Sequence, residues 1–67
     1  MTKSFPKGTL VVTPDGEGIS DGQIYVNGSH LIYVKYKHKI NNPIGKHYQN
    51  GTYEYFSKDV EILEKDE

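Results

Sequence analysis

The sequence predicts an all-β protein of five short strands, and three observations predict it. Seven glycines and three prolines punctuate the chain. The runs between them are rich in β-branched and aromatic residues, including most of the six tyrosines. No stretch repeats apolar residues at helical spacing. A chain of 67 residues is one domain at most, with its core expected over about residues 7–63 and frayed ends at residues 1–6 and 64–67. It has no cysteine, so Val, Ile, Leu, Phe and the tyrosine rings must build that core without a disulfide or a cysteine-ligated zinc.

The first strand is expected at residues 8–13. Pro14-Asp15-Gly16 closes it, because Pro presets φ and Gly accepts positive φ in a tight turn. A second extended segment opens at Gly18-Ile19, bends at Asp21-Gly22 and runs through Gln23-Ile24-Tyr25-Val26. Asn27-Gly28 ends it with a type I′ hairpin signal. The third strand, residues 30–38, alternates most clearly: Ile32, Val34 and Tyr36 face a core, and Tyr33, Lys35 and Lys37 face solvent.

Residues 39–50 contain Asn41-Asn42-Pro43 and Gly45, and the leading reading is a loop, long against the usual ~4–6 residues. A competing parse takes Asn50-Gly51 as a second hairpin turn, with a short strand at residues 44–48 facing residues 52–56; Gly45 and Lys46 weaken its first arm. Thr52-Tyr53-Glu54-Tyr55-Phe56 reads as a strand. Ser57-Lys58-Asp59 supplies capping chemistry for one turn of 3₁₀ helix, and a last short strand follows at residues 60–63.

This order of elements is that of a small five-stranded SH3-like barrel with one 3₁₀ turn before the last strand. The segment from Lys7-Gly8-Thr9 to Gly16-Glu17-Gly18-Ile19 resembles the opening of KOW-type and CarD-type modules, which begin with a Gly-led strand, a short turn, a Gly-x-Gly step and a return strand. The closing Tyr55-Phe56-Ser57-Lys58-Asp59-Val60-Glu61-Ile62-Leu63 resembles the way such barrels finish. Together the two segments cover about a third of the chain. The resemblance implies the fold; in those families similar barrels contact RNA, ribosomal partners or RNA polymerase. This chain departs from them in its lack of arginine and in its long segment at residues 39–50, and no appended helical domain is expected.

Charge is strongly polarised behind a net value of only -1. No acid occurs between Gly22 and Tyr53, where Lys35, Lys37, Lys39, Lys46, His30, His38 and His47 fall. Residues 54–67 then carry six acids against two lysines. All eight basic side chains are lysine, which removes the arginine fork that reads guanine or grips phosphate in pairs. The abundance of Tyr, Asn, Ile and Lys also fits an AT-rich bacterial or bacteriophage genome. The N-terminal residues lack an apolar h-region and no apolar run approaches membrane length, so the expectation is a cytoplasmic protein that does not engage a membrane.

Catalytic chemistry is not expected. Ser4, Ser20, Ser29 and Ser57 stand in no nucleophile motif, the phosphate-cradling glycine-lysine loop is missing, and so small a barrel has little room for a pocket. Asp15 and Glu17 read as turn residues flanking Gly16. The three histidines have no metal-ligand spacing; His30 and His38 lie about 26 Å apart along a strand. No cofactor or metal is implied.

The candidate binding residues are Tyr33, Lys35, Lys37, Lys39, Ile44, Lys46, His47 and Tyr48. Tyr33, Lys35 and Lys37 combine an aromatic platform with cations, a pattern suited to a single-stranded nucleic acid; the competing reading is an edge strand guarded by lysines. Ile40 and Ile44 either tuck beneath the barrel or present an apolar anchor. The first expectation is a non-enzymatic protein-binding module, a regulatory or accessory factor, because tyrosine favours interfaces and a near-neutral charge suits a polyanion poorly. The alternatives are nucleic-acid binding through the Tyr/Lys face, and homo-oligomerisation of acidic tail on basic middle.

Overall fold

The computed structural model describes residues 4–63, and these form six antiparallel strands in one sheet. They are β1 (Leu10–Thr13), β2 (Gly16–Val26), β3 (Ser29–Lys35), β4 (Lys46–Gln49), β5 (Thr52–Phe56) and β6 (Glu61–Ile62), with a 3₁₀ turn at Ser57–Asp59 between the last two. Their order is β4-β5-β3-β2-β1-β6. The all-β class and the single 3₁₀ turn match the sequence reading, but the sheet is open. β4 and β6 are its edges and do not pair with each other.

The two Asn-Gly steps make the hairpins. Asn27 and Gly28 have φ of 49° and 80°, and Asn50 and Gly51 have 47° and 77°. Positive φ at both central positions is the type I′ requirement, which Asn tolerates and Gly meets without a Cβ clash. The second hairpin overturns the reading of residues 39–50 as one loop. Its final part is β4, which pairs Lys46 with Glu54 and His47 with Tyr53. The observed strand starts two residues later and ends one residue later than the expected 44–48. It carries no burial pattern, all four side chains being exposed, so alternation could not reveal it.

β2 bends where expected, its register against β3 shifting between Ser20 and Gln23, which marks a bulge and tightens the twist of a long strand. β3 stops at Lys35, short of the expected residue 38, so Lys37 lies in a bend beyond the ladder. The 3₁₀ turn has no side-chain cap; Val60 N–H closes it on the Ser57 carbonyl at 3.2 Å.

The core is Phe5, Val11, Ile32, Val34, Tyr55 and Val60, with Tyr36, Tyr53 and Ile62 packed against it. Each fully buried aliphatic or aromatic side chain contributes ~1.5–3 kcal/mol of transfer free energy. Phe5 corrects the expected frayed end at residues 1–6. It is fully buried; its N–H donates to Gln23 Oε1 at 3.0 Å and its carbonyl accepts from Ser20 Oγ at 2.8 Å. The buried core therefore begins two residues before Lys7. The remaining frayed residues of that expectation, 1–3 and 64–67, lie outside the described residues.

Candidate functional site

Residues directly opposite in an antiparallel ladder share a face, so the pairings divide the candidate residues. On the face away from the core, Tyr33 stands opposite Glu54, and Glu54 opposite Lys46. Tyr33 and Tyr48 belong to strands that both flank β5, yet their ring centroids meet at 4.6 Å with the planes 36° apart. The rings close over a central strand across which the backbones stand about 9.6 Å apart. Burial, then the neighbouring Glu54 charge, pushes the Tyr33 hydroxyl above its ordinary pKa.

This face continues into an apolar row. Ile24 stands opposite Leu31, and Leu31 opposite Phe56; Phe56 keeps 51% of its surface exposed. The β3–β5–β4 face is thus aromatic and aliphatic, with Glu54 and Lys46 at its centre and Lys35, two residues beyond Tyr33 on β3, at one end. Sequence reasoning missed Glu54 and Phe56. The alternation of residues 52–56 placed Phe56 opposite in sense to core Tyr55 and could have marked it; the position of Glu54 depends on long-range register, which it could not.

Lys35 and Lys37 belong to a neighbouring cleft. Its cavity of about 260 Å³ is lined by Leu10, Ile19, Tyr36 and Ile40 together with Lys35, Lys37, His38 and Glu17. A second depression of about 310 Å³ shares Ile19, Lys35, Tyr36 and Lys37 and adds Lys7 and Asp21. Of the two loop isoleucines, Ile40 is half-buried in the first cavity wall, whereas Ile44 is 72% exposed. Lys39 is exposed and lines neither cavity. His47 turns to the opposite face from Lys46, its ring 5.3 Å from that of Tyr53. The eight candidates therefore form one aromatic group (Tyr33, Lys46, Tyr48), one cleft group (Lys35, Lys37) and three separate residues.

Tyr36, which lines the cleft, is also part of a polar network anchored on Asp15. Its carboxylate accepts the Ile44 N–H at 2.8 Å to Oδ1, the Gly45 N–H at 3.0 Å to Oδ2, and the Tyr55 hydroxyl at 2.6 Å to Oδ2. Burial raises the Asp15 pKa, but the Tyr55, Gly45 and Ile44 hydrogen bonds outweigh it and hold the carboxyl below its ordinary value. Burial, then the bond to Asp15, pushes the Tyr55 hydroxyl far above its ordinary value. Since Tyr55 spends its proton on Asp15, Tyr36 must donate in the 2.7 Å contact between the two tyrosine hydroxyls. Thr13 Oγ1 then donates toward Tyr36, its single hydrogen shared with the Gly16 carbonyl. Asp15 is more than the turn residue the sequence suggested: it ties the β1–β2 turn to the segment entering β4.

His30 pairs with Gln23 Oε1 at 2.7 Å and stacks on Tyr25 at 4.1 Å. Because Oε1 only accepts, His30 Nε2 carries the hydrogen. Among the described residues no group of three His, Asp or Glu stands ready to hold a metal ion, and no helix is long and apolar enough to cross a membrane. The sequence matches no family model, no curated protein and no solved structure at a significant level.

Proposed function

We propose that this chain is a non-enzymatic protein-binding module, a regulatory or accessory factor whose contact surface is the β3–β5–β4 face. The observation that carries this reading is the pairing of half-buried Tyr33 with exposed Tyr48, beside exposed Phe56, with Glu54 rather than a cation between Tyr33 and Lys46. Aromatic anchors with a thin mixed-charge element suit a protein partner, whereas a carboxylate in the platform opposes a phosphate backbone. The second reading is nucleic-acid binding, favoured by exposed Lys46 in the tyrosine group and exposed Lys35 and Lys37 in the adjoining cleft. A third is homo-oligomerisation, for which exposed edge strand β4 offers unpaired backbone.

The same proposal takes the fold as an SH3-like barrel of the KOW or CarD kind with β4 added at one edge. Support comes from the bent β2 and from the chain returning through the 3₁₀ turn to lay β6 against β1.

The test is capture of native-cell proteins on the immobilised chain and on a Tyr33→Ala, Tyr48→Ala variant. Specific partners should be retained by the first and lost from the second; equal capture by both sinks this surface. A fluorescence titration with single-stranded DNA and RNA at two salt concentrations decides the second reading, because binding through several phosphates weakens steeply with salt. Sedimentation analysis decides the third: one monomeric mass at every concentration and ionic strength removes it.

A further inference from the structure

The cleft beside that face has its own chemistry. Its lining is aliphatic at Leu10, Ile19 and Ile40 and basic at Lys35, the last residue of β3, with Lys37 and His38 in the segment that follows. Lys35 and Lys37 line both depressions, whereas Glu17 lines only the first and Asp21 only the second. The shared centre is therefore cationic and each acid is peripheral. Both lysines are exposed, and neither is held in an ion pair among the described residues. The Tyr36 ring cannot swing out as a stacking platform without breaking its hydroxyl contacts to Tyr55 and Thr13. The two cavities, about 260 and 310 Å³, lie at the lower limit of ~300 Å³ for drug-sized ligands.

We propose that these paired depressions bind an extended peptide segment of a partner in which aliphatic side chains alternate with carboxylates. The aliphatic groups seat on Leu10, Ile19 and Ile40, and the carboxylates meet Lys35 and Lys37. Charge complementarity selects this occupant: Lys7, Lys35 and Lys37 outnumber Glu17 and Asp21 along the two depressions, and the aliphatic lining of Leu10, Ile19 and Ile40 favours a peptide over a polyphosphate. Asp15 is a positioning residue for the cleft, since its bonds to Ile44 and Gly45 fix the far end of the loop that carries Lys37, His38 and Ile40.

This inference deepens the protein-binding reading and rests on it, but it concerns the adjoining β1–β2 end of the sheet and not the Tyr33–Tyr48 pair. The test uses the full chain labelled with ¹⁵N and an acetylated, amidated hexapeptide alternating glutamate with leucine. One control peptide alternates lysine with leucine, and another alternates glutamate with serine. Saturable amide shifts are expected at residues 10, 19 and 35–40 with the first peptide, and at least tenfold weaker binding with either control. A Lys35→Glu, Lys37→Glu variant and a separate Ile40→Ser variant should each weaken binding at least tenfold. The lysines are exposed, so the first variant should keep its amide spectrum away from the cleft. No shifts with the glutamate-leucine peptide, equal binding of the glutamate-serine peptide, or shifts confined to Tyr33, Tyr48, Glu54 and Phe56 would overturn the cleft assignment. Partner capture that depends on Tyr33 and Tyr48 would survive such a failure, so the two readings fail separately.

Discussion

The Tyr55 hydroxyl donates to the Asp15 carboxylate at 2.6 Å, joining residues forty positions apart. The same carboxylate accepts two backbone N–H groups from the segment leading into β4. One side chain in a two-residue turn thus holds a core aromatic and the start of the outermost hairpin. A ring buried for its apolar body has a polar tip that must find a partner, and here that requirement fixes the approach of a loop.

Asp15→Ala removes the acceptor for three donors, while Tyr55→Phe keeps the ring and removes one donor. Hydrogen bonds to a charged group contribute ~1.5–3 kcal/mol where solvent is excluded, and the partial exposure of Asp15 lowers that. Asp15→Ala should cost about 1–3 kcal/mol and Tyr55→Phe about 1 kcal/mol. Urea unfolding checks this, with a lowered midpoint and an unchanged m-value as the expected pattern.

Acid should release the same contact. The folded carboxyl of Asp15 titrates below its ordinary value, so in the window between the folded pKa and the unfolded value of about 3.9 the unfolded chain binds more protons. Its contribution is present above the unfolded pKa and is lost as pH falls through the folded one. Thermal midpoints measured from pH 6 down to pH 2 should decline more steeply for the native chain than for Asp15→Asn. Parallel curves would show that Asp15 is not the responsible group.

The reach of the sequence follows from where each signal resides. Asn27-Gly28 and the alternation of Ile32 and Val34 are local, and both structures follow from them. Asn50-Gly51 carries the same chemistry, but its first arm is an exposed edge strand with no burial pattern to read. Phe5 is a lone aromatic before Pro6, and only the distant Gln23 and Ser20 reveal why it is buried. The Tyr33–Glu54–Lys46 row and the Asp15 network depend on register between distant segments, which local pattern does not specify.

Gly45 is held to glycine by space. A Cβ there would stand 2.5 Å from Tyr55 Cε2 and Cζ, and 2.9 Å from its hydroxyl. The ring is in the core and its hydroxyl is bound to Asp15, so the loop must lift instead. Gly45→Ala should cost about 1–3 kcal/mol, the usual range for overpacking. Hydrogen exchange should show faster exchange at residues 44 and 45 than at β3; unchanged protection there would contradict the contact.

Phe5→Ala should be the most damaging single truncation among these. Losing a fully buried phenylalanine costs ~3–5 kcal/mol, and a chain of this length has about 3–10 kcal/mol in total at ~0.05–0.15 kcal/mol per residue. Most of the population should lose its cooperative melt at 37 °C, while Phe5→Leu, which keeps most of the apolar volume, retains one. A native-like melt for Phe5→Ala would place the N-terminal segment outside the cooperative core.

Tyr33 and Tyr48 separate stability from recognition. Their contact lies on the exposed face of the sheet, and Tyr48 keeps 52% of its surface accessible. Cross-strand aromatic pairs are worth ~0.2–1 kcal/mol, so Tyr48→Ala should lower stability by no more than about 1 kcal/mol. An aromatic anchor at an interface carries more, ~2 kcal/mol or above, which is at least a thirtyfold loss of affinity. Tyr48→Ala should therefore melt close to the native chain and yet release its captured partners. A variant that melts far lower would make Tyr48 a structural residue, and one that binds as tightly as the native chain would move the contact surface elsewhere.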